Sequence, residues 1–378
     1  MSKKILIVSA FFEEKIGYQE VQLAQVLTEM NYEVKVLATD RSNLNSEIRY
    51  ENSNGKYEVV RIKKHLRIKS TFYIKENLQE FFKSYSPNIV FLILPGTGLP
   101  YFVLKYIKGN AKVISVYSDT TITDKVANAK GTKGNKIIFK VLKYRWYNKV
   151  MERSDILMAN TNETVSILKN ISKNSINDKL RMTGLGYDPS KYFYSPELRK
   201  KFRDELHLKD NQKLIVSITR VYPGKPFEYW VEQVKDFLIR NENFVYFIAG
   251  FSNDEYSLKV KNSLEKLGLK EKLILYNFTT AEKNNEIFNS ADYSLWFAPT
   301  ISIQQSMASG LMPLIPFDST LDHLIEDKVT GFYYNNFEDL KNTLNKLSNF
   351  SYDRIANTEA NKKFSYGNFL NRIISEVS

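Results

Sequence analysis

The sequence predicts an α/β protein built from two Rossmann-like, doubly wound domains. Short apolar runs alternate with amphipathic stretches of helical length along the whole chain, the signature of parallel sheets with crossover helices. The alternation runs through twice, with a Gly- and Pro-punctuated break at Gly184–Pro196. With 378 residues, the chain is long enough for two cores.

In the first pattern the strand-like runs are Ile5–Ser9, Glu33–Ala38, Glu58–Ile62, Ile89–Leu94, Lys112–Tyr117 and Ile156–Ala159. Helical stretches lie between them at Gln19–Met30, Lys75–Tyr85, Pro100–Ile107, Lys136–Glu152 and Glu163–Lys169. In the second the strands are Leu214–Ile218, Phe244–Ala249, Leu273–Tyr276, Tyr293–Phe297, Met312–Ile315 and Gly331–Tyr333. Its helices are Phe227–Ile239, Tyr256–Leu267, Ala281–Asn289, Ser302–Ser309 and Phe337–Leu347. The expected domains are residues 1–188 and 189–350, with 351–378 forming a closing helical segment on the first domain.

Composition narrows the class. Hydrophobic content of 43% and charged content of 25% fit a soluble globular protein. Cysteine is absent, so disulfide and thiolate chemistry are excluded. The apolar run at the N-terminus is too short for a signal peptide, and no run approaches the roughly 18 residues that span a bilayer. We expect a cytoplasmic protein, peripheral on the inner face of the membrane if it touches one.

The net charge of +12 is unevenly spread: residues 1–200 hold 33 basic and 19 acidic residues, and residues 201–378 hold 21 and 23. The excess concentrates in Arg61–Lys69 and Lys133–Lys149, where Lys63, Lys64, Arg67, Lys140, Lys143 and Arg145 are candidates for an anionic membrane surface or acceptor. A solvated lysine-rich face is the plainer reading. No nucleic-acid recognition motif accompanies these stretches.

Residues 294–316 read as buried strand, short loop, helix, glycine stop and second buried strand, with Ser302 as N-cap and Gly310 as the stop. A helix starting past the carboxyl end of a parallel strand presents free N–H groups to an anion such as a diphosphate. Arg220 and Lys225 fall in the loop after the Leu214–Ile218 strand. Arg offers a planar fork to phosphate oxygens and Lys a point charge, which suits a diphosphate leaving group.

These motifs resemble those of retaining GT-B glycosyltransferases of the large family-4 type, which build bacterial surface polysaccharides. Ser306-Met-Ala-Ser-Gly310 resembles the family's Glu-Ala-Met-Ala-Ser-Gly helix, with Gln305 in place of the glutamate. The Arg220…Lys225 loop resembles the family's Gly-Arg-Leu-x-x-x-Lys-Gly, with Pro226 after the lysine. Gly186-Tyr-Asp-Pro…Phe193 resembles the interdomain hinge, and Phe244–Gly250 the strand ending in glycine beside the nucleotide. Leu273–Phe278 resembles the strand whose following loop holds the base, Thr330-Gly-Phe332 the last strand, and Phe364-Ser-Tyr366 the start of the helix that crosses back. The resemblance is dense from residue 184 onward and loose before it.

The resemblance implies transfer of a sugar from a nucleoside-diphosphate sugar, UDP-linked above others, to a hydroxyl of a glycan or polyprenyl-linked acceptor, with retained configuration. It implies donor contacts from Gly17, Arg220, Lys225, Gly250, Phe278, Thr300, Ser302, Ile303 and Gln305. The family often has a histidine near Tyr117 or Ser118; here Asp119 is the nearest candidate to meet the sugar or acceptor hydroxyl. The family's earlier glutamate would fall at Phe297, eight residues before Gln305. A Gln amide at 305 can still hold a ribose through its oxygen, less symmetrically and without negative charge near the phosphates.

His65, His207 and His323 have no metal-ligand spacing and no Asp-x-Asp is present, so we expect no metal and no cofactor beyond the donor. His323 reads as a surface residue. Neither first strand is followed by Gly-x-Gly-x-x-Gly, which argues against a dehydrogenase. The alternatives are a non-catalytic homologue acting as a scaffold, and a sugar-nucleotide epimerase of related fold.

Overall fold

The computed structural model describes residues 3–14, 19–40, 49–53, 56–63, 66–68, 71–73, 76–118, 133–173, 175–223, 225–269 and 271–377, with side chains for all of these except 49–53, 66–68, 71–73 and 133–142. The chain forms two compact units, residues 1–185 with 366–378, and residues 186–365.

The first unit holds β1 (Lys4–Ser9), α1 (Gln19–Glu29), β2 (Glu33–Thr39), β3 (Arg49–Ser53), β4 (Tyr57–Ile62), β5 (Leu66–Ile68), β6 (Thr71–Tyr73), α2 (Gln79–Tyr85) and β7 (Ile89–Ile93). It continues with α3 (Leu99–Val103), β8 (Lys112–Tyr117), α4 (Lys133–Arg153), β9 (Ile156–Ala159), α5 (Asn162–Ser172) and β10 (Leu180–Met182). Its main sheet has the order β10-β9-β8-β7-β1-β2-β4-β3. Every pairing in it is parallel except β3 with β4. All five residues of β7 are buried, as expected of a strand covered on both faces.

The second unit holds α6 (Pro196–Glu205), β11 (Lys213–Ile218), α7 (Phe227–Arg240), β12 (Phe244–Phe251), α8 (Glu255–Glu265), β13 (Leu273–Asn277) and α9 (Ala281–Ser290). After these come β14 (Tyr293–Leu295), α10 (Ser302–Ala308), β15 (Met312–Pro316), β16 (Phe332–Tyr334), α11 (Phe337–Leu347) and α12 (Arg354–Asn361). The sheet is parallel throughout, in the order β13-β12-β11-β14-β15-β16. Helix formation follows local chemistry. The Asn336 side chain accepts from the Asp339 N–H to cap α11, and Leu340, Thr343, Leu344 and Leu347 repeat at helical spacing on its buried face.

The last helix, α13 (Tyr366–Val377), belongs to the first unit. Tyr366, Phe369, Leu370, Ile373, Ile374 and Val377 form its apolar stripe and join the core containing α1 residues Leu23 and Leu27. The two chain crossings lie side by side, because Tyr187 forms a parallel bridge with Ser365 and donates its N–H to the Phe364 carbonyl at 3.2 Å.

The structure shifts several expected boundaries. The unit limits fall at Leu185/Gly186 and Ser365/Tyr366, and α12 stays with the second unit, where Asn357 donates to the carbonyls of Gly310 and Leu311. The Tyr293–Phe297 strand stops at Leu295. Strands β3, β5, β6 and β10 and helix α6 were not expected. The β5–β6 hairpin falls in the basic stretch, whose charges masked its short alternation.

Candidate active site at the switch point of the second sheet

In an open parallel sheet, ligands bind outside the carboxyl ends of the strands where the strand order reverses. In the second sheet the reversal lies between β11 and β14, which pair through Ile215–Tyr293 and Val216–Ser294. The loops leaving these two strands are residues 219–226 and 296–301. They contain Arg220, Lys225 and Thr300, and α10 begins directly after the second loop with Ser302. The topology therefore gathers at one crevice the residues that the sequence separates widely.

Lys225 is turned inward. Its Nζ donates to Thr219 Oγ1 and lies 5.6 Å from the centre of the Tyr222 ring. Burial lowers its pKa, and no carboxylate takes part in setting it. An ammonium drawn into a crevice lined largely by aromatic and apolar side chains, without a counter-charge, is costly unless an anion supplies one. Arg220 is exposed and makes no hydrogen bond or ion pair among the described residues. The two cations thus differ in role, one anchored and one free to reach.

Behind Lys225 lies a cavity of about 10 Å³, lined among others by Ser217, Thr219, Tyr246, Phe297 and Thr300. That is room for about one water molecule. Ser217 Oγ hydrogen-bonds Tyr246 Oη at 2.7 Å and also the Leu295 carbonyl, tying β11 to β12 and β14 beneath the loops. The Phe297 ring stacks on Trp230 of α7, with centroids 4.9 Å apart and planes at 10°. Where the family resemblance places an acid, this chain has an aromatic packed into its own core.

Gly250 sits in a break of the β12–β13 register, between Ala249 and Phe251, with φ of +125°. A β-carbon there would lie 2.1 Å from the Thr219 carbonyl oxygen and 3.2 Å from the Arg220 nitrogen. The Val221 N–H donates to the Gly250 carbonyl at 3.1 Å, and the Thr219 N–H to the Ala249 carbonyl at 3.0 Å. Gly250 therefore acts on the cation loop: it lets the loop backbone lie directly on β12.

The other expected donor residues divide. Thr300 lines the cavity, and its carbonyl accepts from the Ile303 N–H at 3.2 Å. Ser302 is the first residue of α10 rather than its cap; Ile301 holds that position in helical backbone geometry, with no side-chain cap. The Ile303 side chain is fully buried in the core, so only its backbone can serve a ligand. Gln305 is half-buried, and its N–H is taken by the Ile301 carbonyl at 3.2 Å. Gly310 ends α10 as expected: its N–H meets the Met307 carbonyl and the Leu311 N–H meets that of Ser306, the paired closure of a left-handed helix stop. Phe278, on the loop after β13, is 70% exposed, while its N–H is taken by the Phe251 carbonyl at 2.7 Å.

His323 is not a surface residue. Its side chain is 3% exposed, and burial among Leu321, Leu324 and their neighbours lowers its pKa to about 4 against a weak pull from Asp322.

In the first unit the reversal lies between β1 and β7, and the loops there open at the same carboxyl edge as those of β8 and β9. Leu94, ending β7, takes a left-handed φ of +51° before the Pro95–Thr97 turn. Gln19 and Asn160 exchange side-chain amide bonds of 3.3 and 2.8 Å, and Asn160 also bonds Ser118. Sequence reading missed this cluster, because its members lie 141 residues apart without a motif. Gly17, Asp119 and Lys64 lie outside the described residues, as do the side chains of Arg67 and Lys140. Lys63 follows β4, the Lys143 Nζ lies 5.4 Å from the Tyr147 ring centre, and Arg145 is exposed on α4.

Among the described residues no group of three or more His, Asp or Glu is placed to hold a metal, and no helix is long and apolar enough to cross a membrane.

Residues 199–364 match the model of the family Glycosyl transferases group 1. The match spans both cation loop and α10. No curated protein matches the sequence. The overall fold is that of GT-B glycosyltransferases. A glycosyltransferase from Rickettsia africae ESF-5 is similar at TM-score 0.69 and 15% identity, over 100% of this chain and 98% of that one. Anabaena Alr3699/HepE in complex with UDP is similar at TM-score 0.70 and 14% identity, over 99% and 98%. The same Anabaena protein has been solved with UDP-glucose. WaaG, a glycosyltransferase involved in lipopolysaccharide biosynthesis, is similar at 0.61 and 17%, over 98% and 99%.

Proposed function

We propose that this protein is a glycosyltransferase that takes a sugar from a nucleoside diphosphate, UDP first among them, and passes it to a hydroxyl of a glycan or lipid-linked glycan. One observation carries the reading: the Lys225 ammonium is drawn into the switch-point crevice with no carboxylate to balance it, beside an unpaired Arg220. The similar Anabaena protein, in complex with UDP, and the family match over residues 199–364 agree with it.

In the reaction the bond between the sugar's anomeric carbon and the diphosphate oxygen breaks, and the acceptor oxygen bonds to that carbon while its proton passes to the departing diphosphate. The negative charge gathering on the diphosphate is met by the Lys225 Nζ, already held in the crevice by Thr219, and by the Arg220 guanidinium, which reaches in from solvent. Asp119 is our candidate to meet the acceptor hydroxyl. We further propose retention of configuration, no metal requirement, and surface-polysaccharide assembly at the inner membrane face, where the basic stretches of residues 51–150 would meet anionic lipid.

Thermal shift with UDP, GDP, ADP and their sugars tests the donor, because a ligand that binds only the folded state raises its stability by mass action. Stabilisation by one nucleotide, together with release of that nucleotide from its sugar during turnover, is the expected result. A second reading, a donor-binding scaffold without turnover, is favoured by Gln305 and by Phe297 stacked on Trp230. Nucleotide binding without any product across a donor panel would select it.

A further inference from the structure

The hydrogen bonds around the small cavity behind Lys225 can be followed proton by proton. Ser217, Thr219, Lys225, Tyr246 and Thr300 bring hydroxyl or ammonium groups to it, among largely apolar neighbours. The Leu295 carbonyl can only accept, so the Ser217 hydroxyl gives its proton to that bond. In the 2.7 Å contact between Ser217 Oγ and Tyr246 Oη, Tyr246 is therefore the donor. Burial raises the Tyr246 pKa and keeps the phenol protonated in that role. Its oxygen can still accept, and no donor among the described residues meets it.

Lys225 supplies the opposite polarity. Its ammonium carries three N–H bonds. One goes to Thr219 Oγ1, and the Tyr222 ring lies 5.6 Å away. Among the described residues no other acceptor reaches the ammonium. Donor and acceptor thus line one cavity of about 10 Å³. That volume suits one water, which needs two to four polar partners. The ammonium repels a cation, and the space is too small for an oxyanion.

We propose that this cavity holds one ordered water joining the Lys225 ammonium to Tyr246, which makes Tyr246 a positioning residue for the phosphate-binding cation. The water accepts from Lys225 and donates to Tyr246 Oη, Tyr246 donates to Ser217, and Ser217 donates to the Leu295 carbonyl. Every bond in this chain runs away from Lys225, so the chain favours the charged ammonium and ties it to β11, β12 and β14. The use in donor binding rests on the glycosyltransferase reading; the water site rests on the cavity and its bonds alone.

The titratable groups around Lys225 leave this effect readable. Arg220 and Tyr222 share its loop, and Tyr256 of α8 donates to its carbonyl at 3.4 Å. Glu228 of α7 acts on Tyr256 and not on Lys225. Loop 296–301 has no titratable side chain.

Carbon-13 NMR titration of the lysine side chains in the whole, ligand-free protein tests the proposal, with the Lys225 signal identified by its loss in Lys225→Met. The wild-type midpoint should lie below 10.5. Tyr246→Phe removes the acceptor, and Ser217→Thr keeps a hydroxyl while adding a methyl group in place of the water. Each should lower the midpoint by about one pH unit, a tenfold change in ammonium dissociation, and the double variant should go little further. A reduced melting temperature with the wild-type midpoint in both variants would mark a structural role and overturn the proposal. A crystal structure should show the water within hydrogen-bond distance of Lys225 Nζ and Tyr246 Oη; a dry cavity there would also overturn it. UDP titration of the same samples separates the two readings: midpoints shifted as expected, with no UDP bound by wild type, sink the donor reading and leave the water site standing.

Discussion

The backbone of Gly250 lies directly on the carbonyl of Thr219, so close that a β-carbon at residue 250 would stand 2.1 Å from the Thr219 oxygen. Thr219 in turn takes the Lys225 ammonium on its hydroxyl and precedes Arg220. One glycine thereby sets the height of the whole cation loop above the sheet.

Gly250→Ala should therefore do two things. The positive φ and the collision together should cost about 2–4 kcal/mol of stability. Nucleotide affinity should fall further than the stability loss explains, because Arg220 and Lys225 move with Thr219. Chemical denaturation and UDP titration on the same variant check both.

Lys225 makes affinity depend on pH. Burial holds its pKa below the ordinary 10.5, so the folded protein releases this proton before the unfolded chain does. In the free protein, stability then rises with pH between the lowered value and 10.5. A bound diphosphate favours the ammonium, so binding takes up a proton. UDP affinity should be full below the lowered value and fall as pH rises through it. Lys225→Met should bind more weakly and lose this pH dependence.

His323 acts in the same direction at lower pH and sets an acid limit on stability. Its folded pKa of about 4 lies below the ordinary 6.5, so the unfolded chain binds the proton first as pH falls. Stability should decline from pH 6.5 toward pH 4, by about 3 kcal/mol for this group. Melting temperatures across that window should flatten in His323→Leu relative to wild type.

Arg354 holds three helix and loop ends together. Its guanidinium donates to the carbonyls of Ser309, Ala291 and Phe288 at 2.9, 2.6 and 2.8 Å, closing the ends of α10 and α9. Arg354→Ala would leave the Ser309 carbonyl unmet and strip one donor each from Ala291, which Arg199 also meets, and Phe288, which the Ala291 N–H also meets, at a cost of about 3 kcal/mol. The melting temperature should drop by about 6–12 °C, with the nucleotide affinity of the folded fraction changed little.

Much of the architecture was legible because a parallel sheet writes itself as apolar runs. Phe244–Phe251 is buried at every residue, and the sequence shows it as an unbroken hydrophobic stretch. The cation loop was legible through its strand-then-loop context. What stayed hidden depends on distances along the chain. Gln19 and Asn160 meet only once β9 has been placed, and Phe297 reads as strand until Trp230 arrives to stack on it. His323 looked exposed because it lies just after the Pro316–Thr320 loop, although its side chain is buried. Gly250 announced its left-handed freedom only through the identity of the residue, and its target, Thr219, lies in another strand's loop.

The central claim is that Lys225 and Arg220 together hold a diphosphate. Calorimetric titration of UDP into wild type, Arg220→Ala and Lys225→Met at neutral pH tests it most directly. A charge-assisted contact to phosphate is worth about 1.5–3 kcal/mol, so each substitution should weaken binding about tenfold to a hundredfold. Wild-type affinity in both variants would contradict the account and place the nucleotide elsewhere.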